Sequence, residues 1–174
     1  MPVEKPLRIL VVTGARVLDV DERPRAWARR LVAHWMTFGA DGRDVGLVVH
    51  GDAPGPDRYA EDLAGYLLLP RVVFRLVEPG VPVLRSGGKA REVKDAGRYR
   101  YDARDPLARN RAMVQWAADR AAEGHLLLVL ALTAPWSNTN GARYTMARAR
   151  ELELPVMHFD APDDAWPREE GAAG

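Results

Sequence analysis

The sequence contains no cysteine. Disulfides, thiolate nucleophiles and cysteine-ligated zinc or iron–sulfur sites are therefore excluded. Net charge is almost absent as well: 25 basic against 24 acidic side chains leave +1. That balance supplies no global field for nucleic acid or a membrane surface, so any such binding has to come from a local patch. Long hydrophobic runs are missing; the longest, Leu126 to Ala134, is far too short to span a bilayer. The segment Met1-Pro2-Val3-Glu4-Lys5-Pro6 lacks a charged stretch followed by an apolar one. No signal peptide is visible, and the expected location is the cytoplasm with no membrane partner. No His, Asp or Glu cluster has metal-ligand spacing, so no metal and no obligatory cofactor is expected.

What is present fits a folded chain. With 174 residues, 47% of them hydrophobic, there is enough material for one domain of ordinary size. Leu7 to Thr13 is nearly continuous in apolar residues, as a strand buried on both faces requires. It stops at the polar turn Thr13-Gly14-Ala15-Arg16. A helix follows with Trp27, Leu31, Val32, Trp35 and Met36 at spacings of three and four, ending near Phe38-Gly39-Ala40-Asp41-Gly42. Val45 to His50 reads as a second strand, Asp57 to Leu67 as a helix, and Arg71 to Leu76 as a third strand. Residues 78–105 show no sustained periodicity and are expected to form an irregular loop or lid. Pro106 opens a helix to about Ala122, Leu126 to Leu132 is a strand expected near the sheet centre, and a helix runs from about Gly141 to Glu151. Pro155 to Phe159 closes the pattern. Residues 1–159 thus form one expected domain, and 160–174 an expected loose tail.

Alternating strands and helices predict an α/β fold, an open, mostly parallel sheet of about five strands with helices on both faces. Ligands bind such sheets beyond the carboxyl ends of the strands, where strand order reverses. The turns after the first, second and Leu126–Leu132 strands are all polar and contain Gly. The middle one, His50-Gly51-Asp52-Ala53-Pro54-Gly55-Pro56-Asp57-Arg58, joins a strand to a helix N-terminus. Backbone N–H groups and the positive helix end can hold a phosphate or carboxylate there. A well-capped connection without ligand is the alternative reading of that turn.

Four segments resemble one family. Thr13-Gly14-Ala15-Arg16 is similar to the T-G-S-R opening of YspA-like (YpsA-like) proteins of the SLOG superfamily. His50-Gly51-Asp52-Ala53-Pro54-Gly55-Pro56-Asp57-Arg58-Tyr59-Ala60 resembles their H-G-x-A-x-G-x-D-x-x-A signature. Pro106-Leu107-Ala108-Arg109-Asn110-Arg111-Ala112-Met113 is similar to P-x-x-R-N-x-x-M, and Asn140-Gly141-Ala142 stands where a G-G-T turn is usual. The resemblance implies a Rossmann-like three-layer domain that binds a nucleotide or nucleotide-derived ligand such as a nucleoside phosphate, NAD or ADP-ribose. Related proteins include the cytokinin-activating phosphoribohydrolases and the DNA-processing protein DprA. In the phosphoribohydrolases a P-G-G-x-G-T-x-x-E turn supplies a glutamate that acts on the glycosidic bond. Aligned here, that position carries no acidic residue.

Ligand-contacting candidates are Thr13, Gly14, Arg16, His50, Gly51, Asp52, Gly55, Asp57, Arg58, Arg109, Asn110, Thr139, Asn140 and Gly141. Gly14, Gly51 and Gly141 would expose N–H groups to phosphate oxygens, and Arg109 can bind an anion bidentately. Asp57 either accepts from ribose hydroxyls or caps the helix that starts there. Asn110 is a ligand contact or a cap-like residue, and His50 a proton donor or a satisfied strand-end residue. Trp136 and Tyr144 are candidates for stacking on a base.

Three functions are expected: nucleotide binding as a sensor or processing protein; N-glycosidic hydrolysis with Arg109 and Asp57 as catalytic residues; and, third, binding of single-stranded nucleic acid through the basic stretch 85–111, with Tyr99 and Tyr101 as its aromatics. A homo-oligomer is left open, because Trp27 and Trp35 suit either an interface or the core.

Overall fold

The computed structural model describes residues 5–38, 44–137 and 140–165. Seven strands and four α-helices succeed one another: β1 (Arg8–Gly14), α1 (Glu22–Phe38), β2 (Leu47–His50), α2 (Pro56–Tyr66), β3 (Arg71–Val73), β4 (Val83–Ser86), β5 (Lys89–Glu92), α3 (Pro106–Ala122), β6 (Leu126–Thr133), α4 (Asn140–Glu151) and β7 (Val156–Asp160). The strands form one sheet in the order β5-β4-β3-β2-β1-β6-β7. Pairing is parallel from β3 through β7 and antiparallel at β3–β4 and β4–β5.

The apolar run of β1 is explained by its position between β2 and β6, with both faces covered. Because side chains alternate along a strand, Ile9 and Val11 enter one core cluster while Leu10 and Val12 enter the other. The first cluster takes Met113, Val114, Trp116 and Ala117 from α3 and Ala149 from α4. The second takes Ala28, Val32 and Met36 from α1 and Tyr59, Ala60 and Ala64 from α2. Helices therefore cover both faces, α1 and α2 on one and α3 and α4 on the other. Trp27 and Trp35 pack against the second cluster, where the Trp35 ring lies 6.1 Å from that of Phe159.

Several expectations need correction. The sheet has seven strands rather than about five, because residues 78–105 are not an irregular loop. They contain the β4–β5 hairpin and a short 3₁₀ turn, Ala96–Tyr99. The hairpin's outer strand, Lys-Ala-Arg-Glu, is exposed at every position, so no hydrophobic alternation announces it. The segment after the hairpin is fastened down rather than lid-like. Tyr99 Oη donates to Asp119 at 2.6 Å, Tyr101 Oη donates to the Arg75 carbonyl at 2.7 Å, and both rings are buried. Those two tyrosines are core residues and do not offer free faces to bases. Burial pushes the Tyr101 phenol up to about 12.

The supposed tail also begins too early. Asp160 is the last residue of β7 and pairs with Thr133, Ala161 is buried, and Asp163–Ala165 forms a 3₁₀ turn. β6 is flanked on both sides, as its hydrophobicity requires, but lies next to the edge strand β7. Among the described residues, no helix is long and apolar enough to cross a membrane.

Candidate functional site

Strand order reverses at β1. The chain leaves β1 toward β2 on one side, and β6 leads to β7 on the other. Loops diverging from the carboxyl ends of β1 and β6 leave a crevice, the usual binding position in open α/β sheets. A cavity of about 290 Å³ occupies it. Thr13, Gly14 and Arg16 line it from β1 and the turn after it, and Asp57 from α2. Arg109 and Asn110 line it from α3, and Asn140 and Gly141 from α4. Eight of the sequence candidates thus converge on one wall.

Local chemistry fixes each contributor. Gly55 has φ +91°, a left-handed conformation that favours glycine, and a Cβ there would come within 2.9 Å of the Ala15 carbonyl oxygen. The turns after β1 and β2 are therefore packed directly on one another. Gly14 fits for the same reason, since a Cβ would lie 2.3 Å from Pro56 Cγ. Pro56 opens α2 at a position where its missing N–H is no loss. At the head of α3, Asp105 accepts hydrogen bonds from the N–H groups of Leu107 at 2.9 Å and Ala108 at 3.2 Å. This cap sets the first turn, and the next brings Arg109 and Asn110 inward.

A chain of hydrogen bonds crosses the cavity wall. Gly51 N–H donates to Asp57 Oδ2 at 2.8 Å. Arg109 Nη1 donates to the Gly51 carbonyl in a short contact, and Arg109 Nε donates to Asn110 Oδ1 at 2.9 Å. Asn110 Nδ2 then donates to the Gly141 carbonyl at 3.2 Å, which also accepts from Thr145 Oγ1 at 3.0 Å. The turn after β2 and the first turns of α3 and α4 are joined through one arginine and one asparagine.

Arg109, Asn110 and Asp57 are all buried. Burial raises the pKa of Asp57 above the usual carboxylate range, against the opposing pull of nearby cations and of the Gly51 and Ala53 N–H groups. Burial likewise lowers that of Arg109, and Asp57 offsets part of the cost. A guanidinium nevertheless stays charged in proteins. Arg16 adds a second positive charge at the cavity, near enough to be felt by Arg109. Two cations face one carboxylate that is already engaged by backbone N–H groups. The wall is net positive, and α4 begins at its edge.

The other candidates lie elsewhere. Gly51 sits behind Arg109: a Cβ on it would come within 2.8 Å of Cζ, so its role is to let the guanidinium pass. His50 is fully buried and turned away from the cavity, with Nε2 2.8 Å from Glu61 Oε2 and Nδ1 accepting from Asp52 N–H at 3.0 Å. An imidazole held at both nitrogens in this way is a satisfied strand-end residue. Asp52 adopts φ +57° and faces Arg58, 3.5 Å away, and neither lines the cavity. Thr139 lies outside the described residues. The sequence reading missed Ser137 and the rim formed by Pro106 and Leu107. Ser137 carried a signal, being a hydroxyl in the polar turn after a core strand.

Among the described residues no group of three or more His, Asp or Glu is arranged to hold a metal ion. The arrangement as a whole is that of an α/β protein with a polar, positively charged crevice at its strand-order reversal. No family model, curated protein or solved structure matches the chain.

Proposed function

We propose that the protein binds a phosphate-bearing nucleotide or nucleotide-derived molecule in this crevice of a Rossmann-like three-layer fold, as a sensor or nucleotide-processing protein. The observation that carries the reading is the buried Arg109, held in place by Gly51 and Asn110 beside Arg16 and the start of α4. Preorganised guanidinium groups and a helix N-terminus favour a phosphate over a neutral ligand. The cavity volume of about 290 Å³ lies at the lower end of ligand sites, which suits a mononucleotide better than an enclosed dinucleotide. Thr13, Ser137 and Asn140 supply neutral hydrogen-bonding groups for sugar or base.

One feature favours hydrolysis of an N-glycosidic bond as a second reading. Asp57 is a buried carboxyl with a raised pKa at the cavity, as a general acid requires. Against it, both Gly51 and Ala53 N–H groups already engage that carboxyl, and the carboxylate of α4 stands at its far end, Glu151.

Mass spectrometry of small molecules released from freshly purified protein, with Arg109→Ala as control, tests both. A nucleotide recovered intact from wild type and lost in the variant supports binding. Free base together with ribose phosphate supports hydrolysis. If calorimetry with nucleoside mono- and diphosphates also gives no heat, the crevice is not a nucleotide site.

A further inference from the structure

Away from this crevice, the two helical layers differ in charge. α1 and α2 together carry five arginines and four carboxylates. α3 and α4 carry six arginines against only Asp119 and Glu151. On that second layer lies a separate groove of about 260 Å³, between the 98–101 segment and the flanks of α3 and α4. Arg98, Arg100, Arg111 and Arg148 line it; Arg148 pairs with Glu151 at 2.8 Å, and among the described residues no carboxylate lines the groove itself.

We propose that this groove binds the phosphate backbone of a single nucleic-acid strand. The four arginines come from three elements, the turn before α3, α3 itself and α4, so positive charge runs along a track rather than at one point. Arg111 Nε donates to Tyr144 Oη at 3.0 Å. That bond orients the planar fork and leaves both of its terminal nitrogens available to a phosphate. Arg100 and Arg111 are exposed, and Arg98 remains 67% exposed even though it pairs with Asp119 at 3.1 Å. The floor is formed by buried Tyr99 and Tyr101 and small Ala108 and Ala112, and a volume of about 260 Å³ suits the backbone of one strand. The near-zero net charge of the chain conceals this surface, because the other residues compensate it.

The test is fluorescence anisotropy of a labelled oligothymidylate with the full chain. Arg98 and Arg148 are already ion-paired, so the two arginines without a carboxylate partner among the described residues, Arg100 and Arg111, predict a log–log salt slope of about −1.4, from roughly −0.7 per phosphate on a single strand. The double variant R100E/R111E, altered only at exposed groove positions, should lose at least about 10-fold in affinity and flatten the slope by about 1.4. Its thermal melt should match wild type. Arg109→Ala should leave oligonucleotide affinity unchanged, which separates this groove from the crevice. Absence of binding at low salt, equal affinity of the double variant, or dependence on Arg109 instead would overturn the proposal. Equal binding of duplex would also overturn it, and competition by polyglutamate of matched charge would assign the groove to an acidic protein partner.

Discussion

Two charged clusters sit on either side of the turn after β2, one half-buried and one buried, and they have opposite designs. In one, Glu61 of α2 accepts from His50 at the end of β2 (2.8 Å) and from Arg85 of β4 (2.8 Å), with Arg71 Nε of β3 at 3.0 Å. Both oxygens of the carboxylate are occupied by the protein itself, and none of its members lines the crevice. In the other, Arg109 is held by a carbonyl and an amide, neither of them a full negative charge, and it faces a cavity. A charge whose partners are all internal braces the fold. A charge fixed in position but only partly neutralised is suited to an external partner. Mere burial of ionisable groups does not distinguish the two.

The largest way to break this comparison is at the brace. Glu61→Gln leaves two half-buried arginines without their carboxylate and should cost about 2 kcal/mol of stability at neutral pH, within the range for hydrogen bonds to a charged group. Urea unfolding measures this, while ligand affinity of the folded fraction should be unchanged. Acid sharpens the contrast. Burial opposes the Glu61 charge, but the hydrogen bonds from His50, Arg85 and Arg71 outweigh it and hold the carboxyl down to about 2. A lowered pKa means that the unfolded chain binds more protons. The stability from Glu61 is therefore present above the ordinary carboxylate range and is lost as pH falls toward about 2. Asp57 has the opposite sign: its raised pKa makes its ionised form a burden on the fold, relieved as pH falls. Stability relative to wild type should thus shift toward Asp57→Asn and away from Glu61→Gln as pH rises, read from unfolding midpoints across the acid range.

At the crevice, Arg109→Ala should weaken nucleotide binding by roughly 30-fold or more, from the ~2 kcal/mol lower bound for truncating a buried charge. Lysine at that position keeps the charge but not the fork, so calorimetry should find only partial recovery. The smallest pair of effects comes from two glycines. Gly51→Ala pushes a Cβ to within 2.8 Å of Arg109 Cζ and should cost about 1 kcal/mol in stability, with weaker binding. Gly141→Ala meets only Asn110 Nδ2 at 3.6 Å, ordinary contact, and thermal melts should barely distinguish it from wild type. Equal effects at both positions would show that Gly51 is not there to admit the guanidinium.

Much of the fold was legible in the sequence where local chemistry coincides with tertiary position. The apolar run of β1, the Pro106 helix start and the polar turns after β1 and β2 all read correctly. Each is dictated by residues close in the chain. The β4–β5 hairpin was not legible, because its exposed outer strand carries no apolar alternation. His50 and Glu61 are eleven residues apart, and Arg85 lies twenty-four from Glu61. No spacing rule announces such partners.

The sequence by itself determined the layered α/β plan, since hydrophobic periodicity reports how each segment must be covered. It also brought Asp57 forward as a polar residue at a helix start, and Arg109 and Asn110 through the resemblance of Pro106–Met113 to a P-x-x-R-N-x-x-M segment. Only the tertiary structure decided which of them share a wall. Asp57 and Arg109 meet across Gly51 because the β2 turn and the head of α3 converge at the strand-order reversal. His50 and Asp52, in the same turn, are directed elsewhere by Glu61 and Arg58. Neighbours in sequence were separated and distant residues joined, because burial of charge is settled by the partners that three dimensions bring within hydrogen-bond reach.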